Sequence, residues 1–137
     1  MLRLTAADTE DLAIISAQMQ DAVMKRADLC FDKKRRRFAL IANRFAWDAL
    51  PAKQRRRAGL HFDDVESVKS TGLTRTPASA VLSLLAITFV SAGELDGTIT
   101  LSFSTDIHIR LSVSCINATL TDVGSTWGTA ATPAHRL

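Results

Sequence analysis

Residues 99–115, ITLSFSTDIHIRLSVSC, decide the fold. Ile99, Leu101, Phe103, then Ile107, Ile109, Leu111, Val113 and Cys115 alternate with Thr, Ser, His and Arg. Alternation at period two puts the apolar side chains on one face of a strand and the polar ones on the other. Ser104-Thr105-Asp106 interrupts the pattern and reads as the turn. The stretch therefore predicts an antiparallel hairpin with one buried face.

Working back from this hairpin, residues 81–90 form an apolar run of strand length, and 92–97 a loop. Residues 70–79 are turn-rich, with Gly72 and Pro77. Leu60, Phe62, Val65 and Val68 mark one or two strands bent near Asp63-Asp64. Residues 49–58 hold Pro51 and four bases and predict an exposed loop or short helix. Residues 27–47 predict a hairpin: a short strand at Leu29, Cys30 and Phe31, a polar turn over 32–36, and a return strand over 38–45. On the return strand Phe38, Leu40 and Ala42 share one face, and Ile41, Asn43 and Phe45 the other. At the N-terminus, Leu12, Ile15, Met19, Ala22 and Val23 recur at helical spacing, so 9–24 predicts a helix. Asp8 or Thr9 caps it, and Glu10 and Asp11 suit its positive end. At the other end Ile116, Leu120, Val123 and Trp127 are spaced four, three and four and predict a C-terminal helix over 116–127.

The sum is an α+β chain: an N-terminal helix, a bent antiparallel sheet or partly open barrel of six or seven strands, and a C-terminal helix. A strand meander closed by a helix is the plan of pleckstrin-homology-like barrels. An open sheet with both helices on one face fits the same elements. The length, 137 residues, suits one domain, with residues 128–137 as a flexible tail. No apolar run reaches signal-peptide or membrane-spanning length, so the expected location is the cytoplasm, without membrane insertion.

The charge is segregated. Ten of the seventeen basic residues lie between Lys33 and Arg57 with one acid, Asp48, so this segment carries +9 and the remainder −6. Clustered cations create a local field that the net +3 conceals. Lys33, Lys34, Arg35, Arg36 and Arg37 with Lys53, Arg55, Arg56 and Arg57 are the candidate polyanion-binding residues; Phe45 or Trp47 would be the stacking face for a base, although both read better as core. They serve as one site only if the two groups fold side by side. Otherwise they are a solvated turn that keeps a hairpin soluble.

Catalytic signals are sparse. His61 stands near Asp63-Asp64, and a His beside a carboxylate can act as a general base. It alternates with Leu60 and Phe62, however, and so faces outward; His108 does the same between Ile107 and Ile109. Cys30 and Cys115 lie in apolar runs and read as buried, inert thiols. The six glycines are scattered, so no phosphate loop exists, and no Cys or His pair has zinc spacing. No catalytic residue, metal or cofactor is expected. The residues point to a non-enzymatic protein-binding or adaptor module. Binding of nucleic acid or another polyanion through 33–57 is the alternative, and a small enzyme with an unrecognised cleft the second.

Several segments together resemble the domain-of-unknown-function family 2948, seen mainly in alphaproteobacteria. They are Asp11-Leu12, 15–23 (ISAQMQDAV), 36–40 (RRFAL), 42–47 (ANRFAW), 56–62 (RRAGLHF) and 81–87 (VLSLLAI). The resemblance implies a bacterial cytosolic protein and transfers no functional residue.

Overall fold

The computed structural model describes residues 2–128, with side chains as far as Val123. In chain order the elements are β1 (Arg3–Ala6), α1 (Thr9–Met19), β2 (Val23–Lys25), β3 (Leu29–Asp32), β4 (Arg37–Phe45), β5 (Gln54–Phe62), β6 (Val65–Thr71), β7 (Val81–Ser91), β8 (Gly97–Phe103), β9 (Ile107–Val113) and β10 (Ala118–Gly128). The strands form one ten-stranded antiparallel sheet in the order β1-β10-β5-β4-β2-β7-β8-β9-β6, with β3 beside β2 on the edge of β4. The sheet is open, with β1 and β6 as its ends. It bends sharply. β5 runs into β6 through Asp63-Asp64 alone, yet the two strands lie in different halves. Asp64 takes a left-handed φ of 59° at that corner. The Asp63 N–H donates to the Asn117 carbonyl at 2.8 Å, and the Ser114 N–H to that of Asp64 at 3.1 Å. The bend brings the inner faces of both halves into one hydrophobic cluster with α1.

The hairpin over 99–115 forms as its alternation requires. Ile99, Leu101, Phe103, Ile107, Ile109, Leu111 and Val113 are all buried, and β8 pairs β9 from Gly97↔Val113 to Phe103↔Ile107. The N-terminal helix also forms, but it ends early. The Asp8 carboxylate accepts the Asp11 N–H at 2.8 Å, and Leu12, Ile15 and Met19 make the buried stripe. The chain then turns at Asp21, whose φ of 63° is left-handed. Ala22 and Val23, which match the helical stripe in sequence, are instead placed by strand pairing around β2, with Ala22 buried and Val23 half-buried.

The expected C-terminal helix over 116–127 is not formed; Ile116 and Asn117 lead into β10, which takes the rest of that stretch. The inner face of β10 is Ala118, Leu120 and Asp122, and its outer face carries Thr119, Thr121 and Val123. The period is two, but the inward acid at 122 breaks the apolar alternation. The four-three-four spacing is a coincidence of one strand with its flanks, and the threonines favour a strand. Without that helix, the closing element of a pleckstrin-homology-like plan is missing. Ten strands replace the expected six or seven, because β1 and β2 are short and unanticipated and β10 takes the place of the expected helix. Residues 54–58 belong to β5 rather than to an exposed loop. Of the expected tail over 128–137, Gly128 ends β10, and the remainder, like the Trp127 side chain, lies outside the described residues.

The inner face of the β4–β5–β10–β1 half is built in layers. Phe38, Phe62, Ala118 and Ala6 are in register, as are Leu40, Leu60, Leu120 and Leu4. The third layer is Ala42, Ala58 and Asp122. The two alanines leave room above the sheet. The Arg44 side chain reaches across that room to Asp122, and both are buried, at 0% and 2% exposed. Nε donates to Oδ1 and Nη2 to Oδ2, each at 2.7 Å, a two-pronged charge-assisted pair. Arg44 Nη1 also donates to Asp48 at 2.9 Å and faces Gln18 Oε1 and the Phe45 carbonyl at 3.4 Å. Asp122 further accepts the Leu2 N–H at 2.9 Å, with Arg56 at 3.9 Å. One guanidinium thus ties α1, β4 and the following turn to β10 and, through Asp122, to the start of the chain.

Burial disfavours the charged form of Asp122, but the Arg44 hydrogen bonds and the Leu2 N–H outweigh it and hold the carboxyl below its usual range. Asp48 is lowered by the same balance. Two outcomes are expected. Arg44→Ala strands a buried carboxylate and costs roughly 3–5 kcal/mol in denaturant unfolding, whereas Arg44→Met with Asp122→Leu recovers most of that loss. Depressed carboxyls also stabilise above their unfolded pKa and lose that contribution as they protonate. Stability therefore falls as pH drops below about 4, and less steeply in Asp122→Asn.

Candidate functional site

The nine candidate basic residues divide into two groups at opposite ends of the β4–β5 pair. Lys33–Arg37 form the β3–β4 turn, next to Phe62, whereas Arg55 lies opposite Phe45. The eight residue steps of β4 between Arg37 and Phe45 separate the groups by roughly 26 Å. The register therefore does not bring them together.

Within the first group the charges are largely met. Arg35 is 3.7 Å from Asp32, Arg36 is 3.6 Å from Glu66, and Arg37 grips both oxygens of Asp63 at 2.7 and 3.4 Å. Asp32 is local, at the end of β3, whereas Asp63 and Glu66 arrive because the bent β5–β6 corner abuts this turn, where the Val65 N–H donates to the Arg36 carbonyl at 2.9 Å. Lys33 and Lys34 have no ion pair among the described residues. In the second group, Arg55 donates to the carbonyls of Asn43 at 3.2 Å and Asp21 at 3.5 Å. Burial draws its guanidinium below the usual value. Arg56 lies between Gln54 and Asp122. Lys53 and Arg57 are exposed and form no ion pair among the described residues. Phe45 is fully buried, and Trp47 packs edge-on against it with its indole N–H on the Gln20 carbonyl at 3.2 Å.

The same corner holds the residues weighed for catalysis. His61 faces outward between buried Leu60 and Phe62, as its alternation requires, with Nδ1 3.2 Å from Asp63. Cys115 Sγ donates to Asp64 at 3.3 Å, and Asn117 Nδ2 to the same oxygen at 3.1 Å. The Asn117 and Cys115 hydrogen bonds lower the Asp64 carboxyl. Burial, then the Asp64 carboxylate, raises the Cys115 thiol, which is the reverse of nucleophile activation. Cys115 also precedes a strand rather than opening a helix. Cys30 is a correction of a different kind. It is exposed, because β3 lies on the outer edge of β4, where its outward residues meet solvent. His108 contacts Ser102 and Asp106 at 3.3 and 3.1 Å, and His135 lies outside the described residues. No cluster of three or more His, Cys, Asp or Glu suited to a metal occurs among the described residues.

Open cavities occur at three places among the described residues. One of about 350 Å³ lies between the 73–75 turn and the β8–β9 turn, and one of about 270 Å³ between α1 and β7. The third, about 390 Å³, lies among β2, β4 and β7. Neither His61 nor Cys115 lines any of them. The third groove follows from a strand switch. β2 pairs β4 only at Val23↔Asn43, then leaves to pair β7 through Met24↔Leu82 and Lys25↔Val81. The chain turns over 26–28 and returns as β3, at Leu29↔Leu40. Between these contacts β4 uses two residues, Ile41 and Ala42, while the opposing chain uses five. The excess stands away from β4 and opens the groove. Its apolar walls include Val81, 66% exposed, and Ile41, 37% exposed; Arg57 and Lys25 are on its rim. Sequence reading put Ile41 on the outer face and Arg57 among the candidate cations, but the strand switch that joins them to Val81 has no short-range signature.

The class defined by this architecture is an open, ten-stranded antiparallel sheet with one packed helix. The model of the family described as "Protein of unknown function (DUF2948)" matches residues 2–135, and the chain belongs to that family. No curated protein and no solved structure matches it. Among the described residues no helix is long and apolar enough to cross a membrane.

The thiols give a check on the placement. Cys30 should react with an alkylating reagent at close to the rate of an unfolded thiol, and Cys115 much more slowly until the protein unfolds. Mass spectrometry of the labelled peptides reads this, and equal native rates would contradict the described burial.

Proposed function

We propose that the protein is a non-enzymatic module that binds a protein partner in the bacterial cytoplasm. The observation that carries this reading is the exposure of Val81 and Ile41 beside an open groove, where large aliphatic side chains meet water. Val90 and Leu95, 68% and 71% exposed on the β7–β8 hairpin, add to it. The disposition of charge supports it further. Arg35, Arg36, Arg37 and Arg44 each have a carboxylate partner within the protein, so the basic segment serves the fold before any ligand. A joint polyanion site would need the two basic groups side by side, and the β4–β5 register holds them apart.

Affinity capture from an extract of the source cells, with and without nuclease, tests this reading. A partner retained after nuclease treatment, in stoichiometric amount and reconstituted from purified components, is the expected result. Loss of all partners on nuclease treatment would transfer the assignment to nucleic acid, bound through the basic segment 33–57. No partner in either arm would overturn it.

A further inference from the structure

The groove at the strand switch has a composition that selects its occupant. Its floor is apolar, with Met24 and Ala42 buried at 4% and 2% exposure. Ile41 and Val81 stand exposed above that floor. Arg57 and Asn43 face each other across β4 and β5 on the outer side of the sheet. Lys25 lies opposite Val81 on the β2–β7 side. The Lys25 and Arg57 side chains form no ion pair among the described residues, in contrast to Arg35, Arg36, Arg37 and Arg44. The one acid lining the groove, Asp28, already accepts the Lys25 N–H at 3.1 Å and closes the 26–28 turn. The site therefore presents two cations and one carboxylate around an aliphatic surface, a net positive lining among the described residues.

That combination excludes other occupants. A small apolar ligand needs a cavity that encloses most of its surface, and this groove is open along one side. A single nucleic-acid strand needs aromatic side chains on which bases stack, and no aromatic residue lines the groove. An extended protein segment needs neither. It needs an aliphatic pocket for one side chain and complementary charge for its neighbours, and alternate side chains of an extended chain supply both.

We propose that the groove among β2, β4 and β7 is a docking site for an acidic, aliphatic segment of a partner protein: carboxylates meet Arg57 and Lys25, and an aliphatic side chain packs against Ile41 and Val81. This proposal rests on the reading of the protein as a protein-binding module and names the surface and chemistry of that binding. Arg57 and Val81 are both exposed, so their replacement leaves the core intact. That is verified by unchanged amide spectra elsewhere.

The probe is a blocked pentapeptide alternating glutamate and leucine, titrated into the isotope-labelled full chain and followed by amide chemical shifts. Shifts should concentrate at Val23, Ile41 and Val81. Replacing the glutamates by glutamine, or Arg57→Ala in the protein, should weaken binding about fivefold. Val81→Ser should weaken it to a similar degree. Absence of shifts at millimolar peptide, shifts centred on another surface, or equal affinity for Arg57→Ala would overturn the proposal. Its failure is separable from that of the module reading. A nuclease-resistant partner that binds Arg57→Ala with Val81→Ser as tightly as the unaltered chain overturns the groove assignment alone. Lack of any such partner overturns the module reading itself.

Discussion

A fully buried guanidinium has few tolerable environments, and the placement of Arg44 sets conditions that much of this fold meets. Removing it from water is costly unless its donors are used and its charge is balanced. Here Asp122 takes two donors, Asp48 takes a third, and Gln18 and the Phe45 carbonyl lie close to the remainder. To make those contacts, β10 must lie beside β5, α1 must cross β4, and the turn after β4 must fold back over Arg44. The alanines at 42 and 58 are part of the same requirement, since larger side chains in that layer would fill the space the guanidinium spans. Asp122 passes the constraint to the N-terminus, because Leu2 both donates to its carboxylate and accepts its N–H.

This arrangement changes the meaning of the basic segment. In one dimension it resembles a polyanion site on an acidic body. In three dimensions the acidic body folds against it: Asp63 and Glu66 at one end, Asp48 and Asp122 at the other. Segregation along the chain becomes pairing across the sheet. Exposed pairs such as Arg35–Asp32 contribute little, so their main consequence is to lower the local field. The bridged interior pair is different in kind, because breaking it leaves a charge in a medium that cannot solvate it.

What the sequence discloses follows from the range of the interaction that decides each element. The β8–β9 hairpin is legible because its alternation runs unbroken on both sides of a short turn. The start of α1 is legible for the same local reason: a cap at Asp8 and apolar side chains at 12, 15 and 19. Its end is not, since Ala22 and Val23 continue the helical spacing while Asp21 breaks the backbone. β10 is misread because its inward acid has a partner, Arg44, 78 positions away, and no local pattern reports such a pair. Cys30 is misjudged because an apolar neighbourhood in sequence does not reveal that β3 lies on an outer edge. The candidate groove is the least legible feature, because it arises from β2 leaving β4 for β7, a choice between partners distant in sequence.

The exchange rate of the Arg44 Nε–H proton is the most direct test of the claim that this one arginine of the basic segment belongs to the interior of the fold. Side-chain nitrogen spectra resolve arginine Nε–H groups, and hydrogen exchange reports their access to water. The account predicts a persistent, strongly protected Arg44 signal at neutral pH. Arg57, and Arg35 at the turn, should exchange as freely as in a short peptide. An Arg44 signal that exchanges as fast as those two would contradict it, because the guanidinium would then be open to solvent and free to serve a ligand instead of the fold.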